Sequence, residues 1–449
     1  MTGLPHHTLA ATLDLLEQLT PFRSVAGQRD AQRQLAAWLE NWLIDEMEAE
    51  VVLPVADQPD EHGPPLVHVR INIDAPTTVV LYNMYDVMPA SDEGWDVPPF
   101  EGGIRHWDDK GDVYIARGAE NNKGPLAGML MTVRDLWLTG RLHTNIEIIL
   151  EGEEEIGSGN LRRYLSQQPC PIAPAEAVLF PSLCEYGGGA PRLYLGFTGM
   201  TTGRLKVEGG SWGGPRAAIH ASNAAWIANP AWRLVDALNA IAPAHANGVL
   251  HTEPVTGEAA DILDELAAQF SIRDELIMRR SERLTLDTDP WNALAHLLGS
   301  AVLTIPEMYT SPQGGRGIIP PLACAELALR TPPGIDKDAL LERIRTQLAD
   351  PALAGAELML DDSYPGHRFS IDDIGVMELM NSYHQQQARP QIWPWAPGCA
   401  PAYAFAPIAP AFLIGGLGYG GNAHGVNEFV TLQGLQRFQQ SLSDWLLAF

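Results

Sequence analysis

The stretch Ile146-Glu-Ile-Ile-Leu-Glu-Gly-Glu-Glu-Glu-Ile-Gly-Ser158 joins a largely apolar run, Ile146 to Leu150, to a turn carrying the adjacent carboxylates Glu154 and Glu155. Charge is costly this close to a buried strand unless something uses it. A strand that delivers two carboxylates to a strand-end loop can supply a metal ligand and a general base together. A solvated acidic turn is the plain alternative, so the surroundings must decide.

Working outward, residues 8–48 carry helical apolar spacing in two blocks broken near Thr20-Pro21. Strands are predicted at Glu50 to Pro54, Leu66 to Ile73, Thr77 to Tyr82 and Asp112 to Ile115. A helix from about Gly124 to Leu138 leads into the strand Asn145 to Leu150. This alternation argues for an α/β sheet, and polar groups cluster just past strand carboxyl ends, where open α/β sheets bind ligands. Composition changes after Gly199. Predicted there are a strand over Thr201 to Glu208, a helix over Asn229 to Ile241 and a charged helical stretch over Thr256 to Leu286. A strand over Ile318 to Arg330 and a helix over Asp336 to Leu348 complete the order of an α+β module. Helices over Val376 to Gln387 and Leu432 to Leu447 follow. The Gly-rich run Gly415 to Gly421 opens no helix, so it reads as tight turns and not as a dinucleotide loop.

At 449 residues and 46% hydrophobic content, two domains with sizeable cores are expected. Lys plus Arg total 29 against 55 Asp plus Glu, a net charge of −26, which argues against nucleic acid and anionic membrane as partners. No stretch is apolar enough for a membrane span, and Met1 to His7 lack a secretory signal pattern. Four scattered cysteines, Cys170, Cys184, Cys324 and Cys399, form no Cys-x-x-Cys pair, so a reduced cytoplasmic setting is expected.

Several segments, in order, resemble the dinuclear-zinc exopeptidase and aminoacylase family, which includes carnosinases, carboxypeptidase G and succinyl-diaminopimelate desuccinylase. Leu81 to Pro89 is similar to its strand ending in Gly-His-x-Asp-Val-x-Pro. Trp95 to Phe100 is similar to its Trp-x-x-Pro-Pro-Phe loop, and Arg117 to Gly124 to its Arg-Gly-x-x-Asp-x-Lys-Gly turn. Glu154-Glu155-Ile156-Gly157-Ser158, Asn229-Pro230 after His220, Ile318-Ile319-Pro320 with Arg330, and Ala423 to Glu428 complete the series. The resemblance implies a mixed-sheet α/β catalytic domain over 1–199 and 366–449, interrupted by an α+β lid and dimerisation domain over 200–365.

The resemblance also implies a metal centre, and here the chain departs from it. In the family two zinc ions share a bridging aspartate, which maps to Asn121. The first ion's histidine maps to Met84 and its later carboxylate falls near Pro181 or Ser182. A thioether is a poor zinc ligand, and an amide brings no charge to hold two dications together. The second ion's ligands persist as Glu155 and His424, Glu154 occupies the general-base position, and Asp86 keeps the place of the residue that orients the first histidine. A dinuclear zinc centre is therefore not expected. Glu155, His424 and the neutral Asn121 oxygen would hold one divalent metal or none, with Cys184 or Glu185 as a possible replacement ligand.

On the substrate side the resemblance casts Arg330 as receiver of a substrate carboxylate, a task suited to a guanidinium's two parallel donors. It casts His220 as an oxyanion-polarising group sent into the other subunit's site, which implies a homodimer. Gly398-Cys399 lies where the family has a substrate-contacting Gly-Ser, so both read as pocket residues; Trp393 and Trp395 read as packing. The expected function is a peptidase or amidohydrolase-like protein that binds a small carboxylate-bearing amide or dipeptide in a cleft between the domains. Two alternatives stand beside it. One is a catalytically inactive homologue acting as a binding protein. The other is a metal-independent biosynthetic enzyme using Glu154 and Glu155 as acid and base.

Overall fold

The computed structural model describes residues 7–449, and the chain forms two compact units. The first comprises residues up to Leu195 with Phe369–Trp393 and Ala404–Phe449; the second comprises Gly196–Arg368 and Pro394–Tyr403.

The first unit is built on a six-stranded sheet. Its order is Glu50–Leu53, Val67–Ile71, Asn145–Glu151, Thr78–Met84, Ala177–Pro181, Phe412–Gly415. The last four run parallel, whereas Val67–Ile71 is antiparallel to Asn145–Glu151, so the sheet is mixed. Val79 to Tyr82 and Ile148 to Leu150 are fully buried continuous runs. That is the pattern of parallel strands covered on both faces. The helix Lys123–Leu138 packs against Leu432–Leu446 and His7–Leu19. The first of these contacts depends on Gly128, where a Cβ would stand 2.8 Å from the Phe438 ring.

A smaller antiparallel sheet orders Gly420–Gly421, Phe429–Thr431, Gly111–Ile115 and Gly103–Trp107. It carries the late segment around His424 alongside the segment that leads to Asn121. The Gly-rich run lies between the strands Phe412–Gly415 and Gly420–Gly421 and opens no helix.

The second unit is an antiparallel sheet in the order Val249–Thr252, Ser300–Ser311, Leu322–Thr331, Gly196–Glu208, Ala356–Tyr364. Alternation in Leu322–Thr331 sends Ala323, Ala325, Leu327 and Leu329 into a core with Leu234, Leu238, Leu341 and Ile344 of two helices. Those helices, Pro230–Ile241 and Lys337–Leu348, are capped by Asn229 and Asp336, the residue types whose oxygens best satisfy the first helical N–H groups. The strand expected over 318–330 is broken, because Pro320 and Pro321 cannot donate to a ladder; it splits into Ile318–Ile319 and Leu322–Thr331. The stretch expected as one helical block over 256–286 divides into Glu258–Gln269 and Ile272–Met278, since Ser271 caps a new start by accepting from Asp274 N–H at 3.2 Å. The strand expected from Thr201 begins at Gly196. Two long strands, Ser300–Ser311 and Ala356–Tyr364, had no counterpart in the sequence reading; a register shift in each interrupts the alternation that would have marked it.

Thr431 Oγ accepts from Gly434 N–H at 3.0 Å and caps Leu432–Leu446, whose Leu435, Phe438, Leu442 and Trp445 are buried. Thr431→Ala is expected to lower unfolding free energy by about 1 kcal/mol, read as a reduced urea midpoint with unchanged slope.

Candidate functional site

In the first unit the parallel strands Thr78–Met84 and Asn145–Glu151 pair with Met84 opposite Glu151, so their following loops leave the same edge of the sheet. Asp86, fully buried, spans them: one oxygen accepts from Glu154 N–H at 3.3 Å and the other from Glu155 N–H at 3.2 Å. Position 84 is methionine, so Asp86 has no histidine there to orient. Methionine offers it no donor, and the carboxylate holds the acidic turn instead. Burial pushes Asp86 up to about 7, with the backbone donor of Glu155 pulling the other way.

The turn Arg117 to Lys123 arrives from the other side. Glu428 clamps it: one oxygen accepts from Glu120 N–H at 3.0 Å and Asn121 N–H at 2.8 Å, and the other meets Arg117 Nη1 at 2.5 Å. Arg117 also donates to the carbonyl of His424 at 3.1 Å. Gly118 sits at φ +88°, where a Cβ would strike Val87 at 2.9 Å, so no other residue serves there. Lys123 is buried and donates to the carbonyls of Leu19 and Phe22, at 2.9 and 2.6 Å; burial brings its ammonium down to about 7.

Three sequence-predicted residues come together. Asn121 Nδ2 lies 3.0 Å from Glu155 Oε1 and 3.1 Å from His424 Nε2, and His424 Nε2 lies 3.1 Å from the same Glu155 oxygen. The hydrogen bond to Glu155 raises the imidazole's pKa. Beside them burial pushes Glu154 up to about 8, reinforced by the charges of Glu155 and Asp86. Burial likewise brings Glu120 to about 8, with Glu428 adding to it. Behind the turn Tyr82 donates its hydroxyl to Glu151, a buried carboxyl raised well above its ordinary range by desolvation.

Ser182 stands among neutral groups. Met84 is buried, and the neighbouring amides form a closed network. Asn122 Nδ2 donates to Asn83 Oδ1 at 2.8 Å and to the Pro181 carbonyl at 3.0 Å, while Ser182 Oγ donates to Asn122 Oδ1 at 3.2 Å. Neither proposed replacement ligand is available. Glu185 places both oxygens 2.7 Å from Arg437 Nη1 and accepts from Gly418 N–H. Cys184 is buried against the carbonyls of Ser182 and Ile414, and burial pushes its thiol up to about 12. Among the described residues no group of three or more His, Cys, Asp or Glu is arranged to hold a metal ion. The donors therefore do not fit a two-ion centre. For a single ion they offer one carboxylate, one imidazole and one amide, and the amide turns its Nδ2, not its oxygen, toward the other two.

The second unit gathers Arg330, Cys399 and Gly398. Cys399 Sγ lies 3.2 Å from Thr198 Oγ, which donates to the Gly398 carbonyl at 2.9 Å. Burial raises the Cys399 thiol's pKa, opposed by Thr198 and by the Arg330 guanidinium beside it. His220 is exposed, its Nδ1 turned to Ser222 N–H and hydroxyl at 3.2 and 2.8 Å. Trp393 and Trp395 are buried, the latter donating to the Leu298 carbonyl, so both serve packing.

The sequence reading missed the roles of Arg117, Glu120, Lys123 and Glu428. All four lie inside the quoted motifs, but the pairings of Arg117 with Glu428 and of Lys123 with Leu19 span 311 and 104 residues, and only the fold makes them.

A mixed sheet with carboxylates, an imidazole and an amide converging past its strand ends is the ligand-binding edge of an α/β unit. The model of the Peptidase family M20/M25/M40 matches residues 80–448, and the chain belongs to that family. It is 24% identical over 382 residues to the Cys-Gly metallodipeptidase DUG1 of Candida albicans, covering 78% of this chain and 76% of that one. Its fold matches an M20 family metallo-carboxypeptidase, Sso-CP2 from Sulfolobus solfataricus, with TM-score 0.82 at 22% identity over 97% of this chain and 98% of that one. Human carnosine dipeptidase 1 matches with TM-score 0.75 at 18% identity over 98% and 97%. No described helix is long and apolar enough to cross a membrane.

Arg117→Met leaves the buried Glu428 carboxylate unpaired and is expected to cost about 3–5 kcal/mol, measured by chemical denaturation. Asp86, Glu120 and Glu154 hold protons in the folded state at pH values where the unfolded chain has released them. The folded state then binds more protons, so stability falls as pH rises from about 5 to about 7. Above that window Lys123 works in the opposite direction. Glu120→Gln is expected to flatten the fall, read from melting temperatures across the window.

Proposed function

We propose that this chain binds a small peptide or amide bearing a free carboxylate and hydrolyses its C–N bond, with Glu154 as the proton-transfer group. The observation that carries the reading is the convergence of Asn121, Glu155 and His424 within 3.1 Å of one another beside Glu154. Family membership and the dipeptidase relatives support it. Glu154 takes a proton from the attacking water as the new C–O bond forms, and returns it to the departing nitrogen as C–N breaks. Its raised pKa suits the second half of that task near neutral pH. Arg330 receives the substrate carboxylate with Cys399 and Gly398 beside it, and His220 polarises the scissile carbonyl. With Met84, Ser182 and Asn121 in place of ionisable ligands, at most one divalent ion, zinc by its ligand types, is held here. It would be held by Glu155, His424 and the Asn121 amide, and would supply Lewis acidity. The same reading makes residues 200–365 a lid and dimerisation domain, and the protein a cytoplasmic homodimer.

A second reading, a binding protein without turnover, is favoured by the neutral network of Asn83, Asn122 and Ser182. Elemental analysis and a dipeptide panel that includes Cys-Gly test both. Expected are no more than one divalent ion per chain and turnover of at least one dipeptide. Glu154→Gln is expected to lower kcat by about 10²- to 10⁴-fold with ligand affinity kept. Two ions per chain would overturn the proposal. Tight dipeptide binding with no turnover in either form would replace it by the second reading.

A further inference from the structure

We infer that the Asn121 side-chain amide is a built-in hydrogen-bonding bridge that closes the Glu155–His424 pair without a cation, and that an aspartate at position 121 would turn the same three positions into a zinc site. The inference rests on the reading that at most one ion is held here, and narrows it. One NH₂ group carries two hydrogens, and both have a partner within reach: Glu155 Oε1 at 3.0 Å, and His424 Nε2 at 3.1 Å, which accepts when the neutral imidazole carries its proton on Nδ1. The lone pairs a metal would use are the ones the amide already engages. Turning the amide to present Oδ1 would break both bonds and, without a cation, set a carbonyl oxygen against the carboxylate of Glu155.

The backbone under the bridge is held from behind: Asn121 N–H donates to Glu428 Oε1 at 2.8 Å, and Glu428 is itself buried and paired with Arg117. Charge argues the same way. Glu155 is 5% exposed, and Glu120, Glu154 and Asp86 lie close around it. The Arg117 and Lys123 cations of this turn are already engaged with Glu428 and with backbone carbonyls. An amide joins Glu155 to His424 and adds no charge. An aspartate at the same point would add a carboxylate beside Glu155 and leave Asp, Glu and His facing one position, the three-protein-ligand set that zinc takes with water as its fourth.

The test compares the full-length native chain with Asn121→Asp, each titrated with zinc by calorimetry and by thermal unfolding. Without zinc, Asn121→Asp is expected to melt below the native chain. With zinc it is expected to bind one ion per chain at least about 100-fold more tightly than native, with a melting temperature that climbs with zinc concentration. Adding His424→Ala is expected to abolish that gain. Native chain that binds one zinc as tightly as Asn121→Asp would overturn the inference and leave the at-most-one reading standing; two zinc ions in the native chain would overturn both. A folded Asn121→Asp, judged by circular dichroism, with no gain in zinc affinity would also overturn it. Should that variant not fold, the native titration decides alone: saturation by one zinc with the affinity of a three-ligand site overturns the inference, and no saturation supports it.

Discussion

The guanidinium of Arg117 and the carboxylate of Glu428 stand 2.5 Å apart, both buried, and join segments 311 residues apart in the chain. The free oxygen of Glu428 takes the N–H groups of Glu120 and Asn121, and Arg117 takes the carbonyl of His424. One ion pair therefore sets the position of the amide and of the imidazole together. Desolvating two charges is costly, and the geometry offsets that cost by satisfying several backbone groups at once. Glu154 and Glu155 are placed separately, by the two oxygens of Asp86.

These two clamps meet over a surface that has few positive charges to offer. Burial and mutual repulsion push Asp86, Glu120 and Glu154 to between about 7 and about 8, so protons and neutral amides do the work of balancing charge. The neutral replacements are not scattered. Asn83, Asn122 and Ser182 bond to one another and to the Pro181 carbonyl, and Met84 lies buried beside them in the adjoining strand position. A corner that would otherwise need a cation is instead satisfied by hydrogen bonds, as low-polarity interiors require of every buried polar group.

Much of the first unit was legible beforehand because its strands are continuous apolar runs. The strand Asn145–Glu151 and the helix Lys123–Leu138 fall within a residue or so of their expected limits. The second unit was harder. Ser300–Ser311 carries Pro306 beside a register shift, and Ala356–Tyr364 shifts at Leu360, so neither shows the clean period of two that identifies a half-buried strand. At the site, motif order named Glu154, Glu155, His424 and Asn121, and the fold brings Asn121, Glu155 and His424 within 3.1 Å of one another. Motif order also offered Glu185 as a spare ligand, but Arg437 and the Gly418 N–H had already taken that carboxylate.

The sequence by itself determined the family, the mixed α/β character of the catalytic unit, and the identity of the side chains at each inherited position. Residue types and their spacing travel with the chain and need no coordinates. What only the tertiary structure decided is which of those groups are still free to act. Whether a carboxylate is a ligand, a clamp or a proton carrier depends on the donors that folding brings within 3 Å or so of it. Asp86, Glu185 and Glu428 have the same functional group, and the fold alone gives each its partners: the acidic turn for Asp86, Arg437 for Glu185, and Arg117 with the Asn121 turn for Glu428.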